Sequence, residues 1–386
     1  MRICIITGTR ADWGIMSPLA AALRLNKDVE LSIIATNMHL MEQFGMTVNE
    51  ITDAGFIVAE RVPVNCTGDS GVGTAHAMAQ CLDGMADALQ RVAPEAVIIL
   101  GDRFEMLAAA SAAAVMLIPI IHIAGGTVSE GAVDDSIRHA ITQLSSLHLV
   151  ETDEHRRRVI RMGHHPSTVI ATGALGVWNA LNHRLMTRDE LKASLDGFDI
   201  DRRHTLLVTF HPATRDDTPV GIRVNALLEA LDRFQGYNIL FTYANNDAGG
   251  NTVNRMIENY VAQHPGRTKA VPSLGMKRYL SALRNVAAVV GNSSSGIVEV
   301  PSMHIPTVDI GIRQAGRTAA PSVIHCGDSA DDIADAIAKA LSAPMRRRAA
   351  RCANPYFRED TLGLMTDAIM QLPSALNHRS FYDSNK

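Results

Sequence analysis

Strand-sized apolar runs alternate with helix-sized amphipathic segments along nearly the whole chain. The first half carries the runs ICIIT, LSIIA, AVIIL, IPIIHIA, LHLVE and TVIAT. Between them, apolar residues recur at helical spacing over residues 18–25, 75–92, 104–116, 134–144 and 153–162. The second half repeats the pattern with TLLVTF, NILFTY, TKAVP, AAVVG, IPTVDI and SVIHC. Helices are predicted there at 220–234, 252–263, 276–283, 296–303 and 331–341. Continuous apolar strands separated by helices predict parallel sheets covered on both faces.

A length of 386 residues exceeds one ordinary core and predicts two domains. The boundary falls in 173–199, where TGALGVWNALN precedes an exposed helix, TRDELKASL, and then DGFDIDRRH. The expected architecture is α/β, with two doubly wound Rossmann-like domains at 1–175 and 200–360 and a cleft between them. A last helix, 361–372, is expected to fold back on the first domain, and the tail 373–386 to be disordered. The apolar stretch MLAAASAAAVMLIPIIHIA contains Pro119 and reads as a buried helix followed by a buried strand, not a membrane span.

Composition narrows the function. Hydrophobic residues at 47% and charged residues at 20% describe a soluble globular protein. A net charge of -4 gives no electrostatic case for nucleic acid or an anionic membrane, and 4% aromatics leave few stacking platforms. The five cysteines (Cys4, Cys66, Cys81, Cys326, Cys352) contain no CxxC pair, and Cys4 reads as a small core residue. MRICIITGTR enters a strand without a secretory hydrophobic region, so a reduced, cytoplasmic chain is expected.

Ligands of doubly wound sheets bind outside the carboxyl ends of the strands, and polar residues cluster at those junctions here. In TGTRADWG, Gly8 permits close backbone approach and Arg10 offers a fork of donors to an anion. In ILGDRFEML, Asp102 suits a helix cap and a catalytic carboxylate equally, with Arg103 beside it for a phosphate or carboxylate. IIHIAGGTVSEGAVDDSIRHAI breaks at Gly125-Gly126, leaving amides accessible, and carries Glu130, Asp134 and Asp135 into a helix. Capping and dipole pairing by themselves account for the two aspartates. His122 reads as a hydrogen-bonded core histidine. His211, in TFHPAT, sits before proline at a strand end, where proton transfer or phosphate contact is available. FTYANNDAGGN offers Asn245, Asn246 and Asp247. GNSSSGIVEV places small hydroxyls and Gly296 near a helix start, an amide-rich anion site, with Glu299 for ribose hydroxyls and Arg313 for a diphosphate. No metal-ligand spacing and no GxSxG elbow occur.

Taken in order, GTRADWG, GDRFEML, HIAGG…GAVDDSIRHAIT, FHPAT, NDAGG and GNSSSGIVEVPS…IGIRQAGR resemble the hydrolysing UDP-N-acetylglucosamine 2-epimerases over about residues 1–372. The resemblance implies the two-domain GT-B fold, release of UDP and free N-acetylmannosamine, no cofactor, no metal, and a homodimer or homotetramer. It implies nucleotide binding by Arg10, catalysis by Asp102 and Asp134, and substrate binding by Arg103. It further implies phosphate contact and leaving-group assistance by His211, and substrate contact by Asn245. Ser293 and Ser294 correspond to phosphate-binding serines, Glu299 to a ribose-binding glutamate and Arg313 to a diphosphate arginine. The implied reaction is elimination of UDP to a glycal, followed by hydration with inversion at C2. The proton leaves one face and returns to the other, which takes two acid/base groups: Asp102 and Asp134, with Glu130 as a third.

Relatives usually place a glutamate directly after the glycine pair or just before it. Here those positions hold Thr127 and Ala124. The rival expectations are the same chemistry on a UDP-2,4-diacetamido-trideoxy sugar, a non-hydrolysing epimerase, a GT-B glycosyltransferase and a non-catalytic binding protein. The segments that discriminate between substrates are expected at 63–74 and near Glu130.

Overall fold

The computed structural model describes residues 1–65, 70–245, 247–376 and 380–383. Cys66, Asn246 and residues 67–69 of the substrate-loop candidate lie outside them. The chain divides into two compact units, Met1–Thr127 with Asp134–Trp178 and Arg358–Lys386, and Val128–Val133 with Asn179–Phe357. The chain passes between units at 127–128, 133–134, 178–179 and 357–358. The six residues 128–133 belong to the second unit, a division that the strand-helix pattern does not reveal.

The first unit is built on a seven-stranded parallel sheet of β1 (Arg2–Thr7), β2 (Glu30–Thr36), β3 (Val58–Val62), β4 (Ala96–Leu100), β5 (Ile120–Ile123), β6 (Leu147–Val150) and β7 (Val169–Ala171). The strand order is β3-β2-β1-β4-β5-β6-β7. Successive residues of one strand enter different layers. Ile3, Ile5, Ile98 and Leu100 pack with Met16 and Leu19 of helix Arg10–Leu25 and Met365 and Ile369 of helix Thr361–Met370. Cys4, Ile6, Val97 and Ile99 pack with Cys81 and Met85 of helix Gly71–Val92 and Ala109 of helix Phe104–Val115. This period of two, with both faces covered, explains the uninterrupted apolar runs.

The helix predicted from residue 18 begins eight residues earlier, at Arg10. Thr9 caps it, accepting from the Asp12 amide at 3.2 Å. Pro18 lies inside this helix, and Ser17 Oγ donates to the Gly14 carbonyl at 3.2 Å, the acceptor that the proline cannot serve. The expected disordered tail is described in part. Tyr382 donates its amide to the Gly163 carbonyl at 2.7 Å, so Ser380–Asp383 has a place on the first unit.

The second unit carries a six-stranded parallel sheet of β8 (Thr205–Thr209), β9 (Asn238–Thr242), β10 (Thr268–Val271), β11 (Ala288–Gly291), β12 (Thr307–Ile310) and β13 (Val323–Cys326), in the order β10-β9-β8-β11-β12-β13. Both sheets reverse their winding once, between β1 and β4 and between β8 and β11. Those are the topological switch points where doubly wound sheets hold ligands. Among the described residues, no helix is long and apolar enough to cross a membrane.

Buried histidines give the first unit a pH response. Burial holds His39 and His122 down to about 4 and His148 well below the usual imidazole range. Each is neutral in the fold but takes a proton in the unfolded chain below about 6.5. The unfolded state then binds more protons, so this contribution to stability is lost as pH falls from about 6.5 toward 4. His39 hydrogen-bonds Thr7 at 3.0 Å and Thr47 at 2.8 Å. We expect His39→Gln to be less stable than the parent at pH 7, with the gap narrowing as pH falls to about 4.5. Urea denaturation of both proteins across that range checks it; a gap independent of pH would sink the assignment.

Candidate functional site

In the first unit, the loops after β1, β4, β5 and β6 bring charged groups to one end of the sheet. Arg10, expected to meet an anion, is the first residue of its helix and pairs with Glu50 in this structure. Asp12, in the same motif but unassigned from sequence, has one carboxylate oxygen buried without a hydrogen-bond partner. Burial pushes its carboxyl up to about 7; Glu105 and Asp102 add repulsion, while Arg103 and Thr9 oppose the shift. The close approach expected at Gly8 serves Glu105, since a Cβ at Gly8 would lie 2.5 Å from Glu105 Oε1. Glu105 is fully buried and accepts from Arg103 Nε at 2.8 Å.

Asp102 is held by Arg138. Arg138 is 1% exposed and also donates to the Thr127 carbonyl at 2.9 Å, with Asp135 at 3.5 Å. Burial disfavours its charge, but Asp102, Asp134 and Asp135 outweigh that and hold the guanidinium pKa above its usual value. The acidic helix start DDSIRH, read locally as capping, thus surrounds the cation that fixes Asp102. Asp134 and Asp135 form the first turn of helix Asp134–Leu144. His122 is the core histidine expected, bonded to the Gly101 carbonyl at 2.8 Å and Thr142 at 3.2 Å.

Gly125-Gly126 plays a packing role. A Cβ on Gly126 would meet the His155 carbonyl at 2.7 Å, and its own carbonyl accepts from Arg158. That close approach seats Thr127 against helix Asp153–Arg161. Thr127 Oγ1 lies 3.3 Å from Glu151 Oε2 and 3.3 Å from His155 Nδ1. Glu130 is exposed and belongs to the second unit, where its amide donates to the Ala315 carbonyl at 3.1 Å and its carbonyl accepts from Arg215 at 3.2 Å. The first unit therefore groups Asp102 with Asp134 and leaves Glu130 out of that group.

In the second unit, His211 follows β8 and is buried. Asn292, after β11, fixes its backbone from both sides. Asn292 Oδ1 accepts the His211 amide at 2.7 Å, and Nδ2 donates to the His211 carbonyl at 2.8 Å. The Asn245 amide donates to His211 Nδ1 at 3.3 Å, so in the neutral ring the proton sits on Nε2. Arg313 Nη1 and Gln314 Nε2 both donate to the Asn292 carbonyl, at 3.1 and 2.9 Å. Asn292 thereby assembles His211, Asn245 and Arg313 at the β8/β11 switch point. Ser293 is half-buried and Ser294 exposed, ahead of the short helix Ser295–Val298. The amides of Gly296 and Ile297 are already engaged by the Ser293 and Ser294 carbonyls, so the expected amide nest is smaller than read. Glu299 is half-buried just beyond that helix.

Sequence reasoning did not single out Asp12, Glu105, Arg138, Glu151, His155 and Asn292 as candidate site residues. Asp12, Glu105, Arg138 and Asn292 stood inside the quoted motifs. Arg138 and Glu151 find their partners 36 and 24 residues away, and no local pattern marks such pairs.

The UDP-N-acetylglucosamine 2-epimerase family matches residues 21–370. A hydrolysing GDP/UDP-N,N'-diacetylbacillosamine 2-epimerase of Campylobacter jejuni is 34% identical over 84% of this chain and 83% of its own length. A UDP-N-acetylglucosamine 2-epimerase of Neisseria meningitidis is 31% identical over 88% of both chains. The solved Neisseria meningitidis UDP-GlcNAc 2-epimerase bound to UDP-GlcNAc shares the fold, with a TM-score of 0.82 at 16% identity, over 96% of this chain and all of that one. With both switch points furnished and the match running through nearly the whole chain, this protein belongs to the UDP-N-acetylglucosamine 2-epimerase family.

Proposed function

We propose that this enzyme hydrolyses a UDP-activated 2-acetamido sugar with inversion at C2, releasing UDP and, from UDP-N-acetylglucosamine, free N-acetylmannosamine. The observation that carries the reading is Asp102, paired with buried Arg138 at the first unit's switch point. In the first stage the C2–H bond breaks, its electron pair forms the C1=C2 bond, and the C1–O pair departs on the diphosphate. In the second, water oxygen bonds to C1 and gives up a proton, and a proton returns to the opposite face of C2. The balance is one water consumed and UDP, the free sugar and a proton released.

Asp102 and Asp134 are the assigned proton-transfer groups, with Glu130 as the further candidate. Arg10, Arg103, His211 and Arg313 supply positive charge or donors to the nucleotide diphosphate, Ser293 and Ser294 hydroxyl contacts, Asn245 a substrate contact and Glu299 a ribose acceptor. The His211 Nε2–H is the donor suited to a departing phosphate oxygen. A second substrate is favoured by a specific observation: the Campylobacter relative, named for diacetylbacillosamine, is 34% identical.

Incubation with each UDP-sugar alone in deuterated water tests both. We expect UDP, a free 2-epimeric sugar and deuterium at C2 by NMR. A product without deuterium at C2 defeats the elimination mechanism, and a UDP-linked epimer with no free sugar defeats the hydrolase.

A further inference from the structure

We propose that Glu151 is a further catalytic carboxylate of this site, held and tuned from behind by Thr127 and His155. The proposal rests on the hydrolytic epimerisation above and assigns it a proton-transfer group that the motifs did not indicate. Glu151 is the first residue beyond β6, Thr127 follows β5, and Asp102 follows β4. These three strands are adjacent, so the residues share one end of the sheet.

The hydrogen-bond pattern is directional. An ionised carboxylate only accepts, so the Thr127 hydroxyl donates to Glu151 Oε2, at 3.3 Å. Its oxygen then accepts from His155 Nδ1, also at 3.3 Å, and that nitrogen lies 3.8 Å from the same carboxylate oxygen. Thr127 and His155 are each 1% exposed, whereas the Glu151 side chain keeps 12% of its surface in solvent. Of the three side chains, that of Glu151 therefore keeps the most surface for a substrate to reach. The Thr127 carbonyl accepts from Arg138, which holds Asp102. One continuous network joins the two carboxylates, so a proton gained at one changes the field at the other.

Helix capping does not explain Glu151. Thr152 performs that task, its hydroxyl accepting the His155 amide at 3.1 Å. Nor does stability require a mostly buried carboxylate beside a buried imidazole, since well-packed apolar residues serve as well or better. The reaction, by contrast, moves protons on both faces of C2, and Glu151 stands in the same unit and at the same sheet end as Asp102. If Glu151 removes the C2 proton, it stores that proton until water adds. If it returns one, it delivers its own and regains it from the adding water.

The test is Glu151→Gln and Thr127→Val in the full-length protein, with folding checked by circular dichroism. We expect Glu151→Gln to lower kcat by about 10²-fold or more at near-parent KM, and to remove one limb of the pH–kcat profile. Glu151→Asp is expected to restore part of the turnover and that limb. Thr127→Val, which keeps the shape and removes the hydroxyl, is expected to move the same limb. Glycal accumulating with UDP in Glu151→Gln marks the proton-returning role; slowed UDP release marks the proton-removing one. Parent-like kcat in Glu151→Gln, or a loss whose pH profile matches the parent's, overturns the proposal. Turnover by the parent separates that outcome from failure of the proposed function, because a parent inactive on every UDP-sugar sinks both.

Discussion

We expect Asp102→Asn to lower kcat by about 10²–10⁴-fold while leaving KM within a few-fold, the range set by loss of a positioned acid/base group. Asparagine keeps the size and a hydrogen-bond acceptor for Arg138 but cannot take or give the C2 proton. Asp134 and Asp135 still neutralise Arg138 in the variant, so the fold is retained. Steady-state kinetics with the UDP-sugar that the parent uses, alongside circular dichroism, is the measurement. Near-parent turnover would remove Asp102 from the acid/base role. A large rise in KM with unchanged kcat would recast it as a binding group.

Arg138→Met carries the second large effect, and it reaches both stability and activity. The guanidinium meets three acceptors on different segments: Asp102, the Thr127 carbonyl and Asp135. Methionine fills much of the volume but leaves Asp102 without its cation. Breaking a buried pair from one side costs about 3–5 kcal/mol, a large share of the roughly 5–15 kcal/mol of a typical fold. The surviving Asp102 carboxylate also loses the partner that positions it, so kcat falls together with stability. Arg138→Lys retains the charge but not the planar fork, so its stability loss is smaller. Urea denaturation and steady-state kinetics of the two variants are the measurements. Equal stability of Arg138→Met and the parent would show that the pair does not support the fold.

Much of the architecture was legible because buried parallel strands must be apolar on both faces. ICIIT, AVIIL and TLLVTF each contribute residues to two layers, and no other element presents so short an unbroken run. β3 escaped for the same reason in reverse. Its sequence VAERV is half exposed at the sheet edge, so Glu60 and Arg61 break the run. Helix Arg10–Leu25 was shortened because Pro18 reads as a helix start, whereas Thr9 caps the helix a full two turns earlier.

The candidate site divides along the same physical line. The residue types at the strand ends were readable because a polar group directly after an apolar strand has no packing reason to be there. Asp102 and His211 were singled out as candidates that way. What each one touches was not readable. Arg138 sits one turn into an ordinary-looking acidic helix start, and only the adjacency of β4 and β5 lays it across Asp102. Glu151 reads as the last letter of LHLVE, and only the pairing of β5 with β6 brings it to Thr127. Glu130 stands four residues before Asp134, yet the two belong to different units. The sequence by itself determined the parallel α/β grammar, the two-unit plan and the chemical types at the switch points, because local periodicity and burial are written residue by residue. Only the tertiary structure decided which charges are paired, which carboxylates share a network and which unit holds each one, because those depend on strand order and on contacts made across tens of residues.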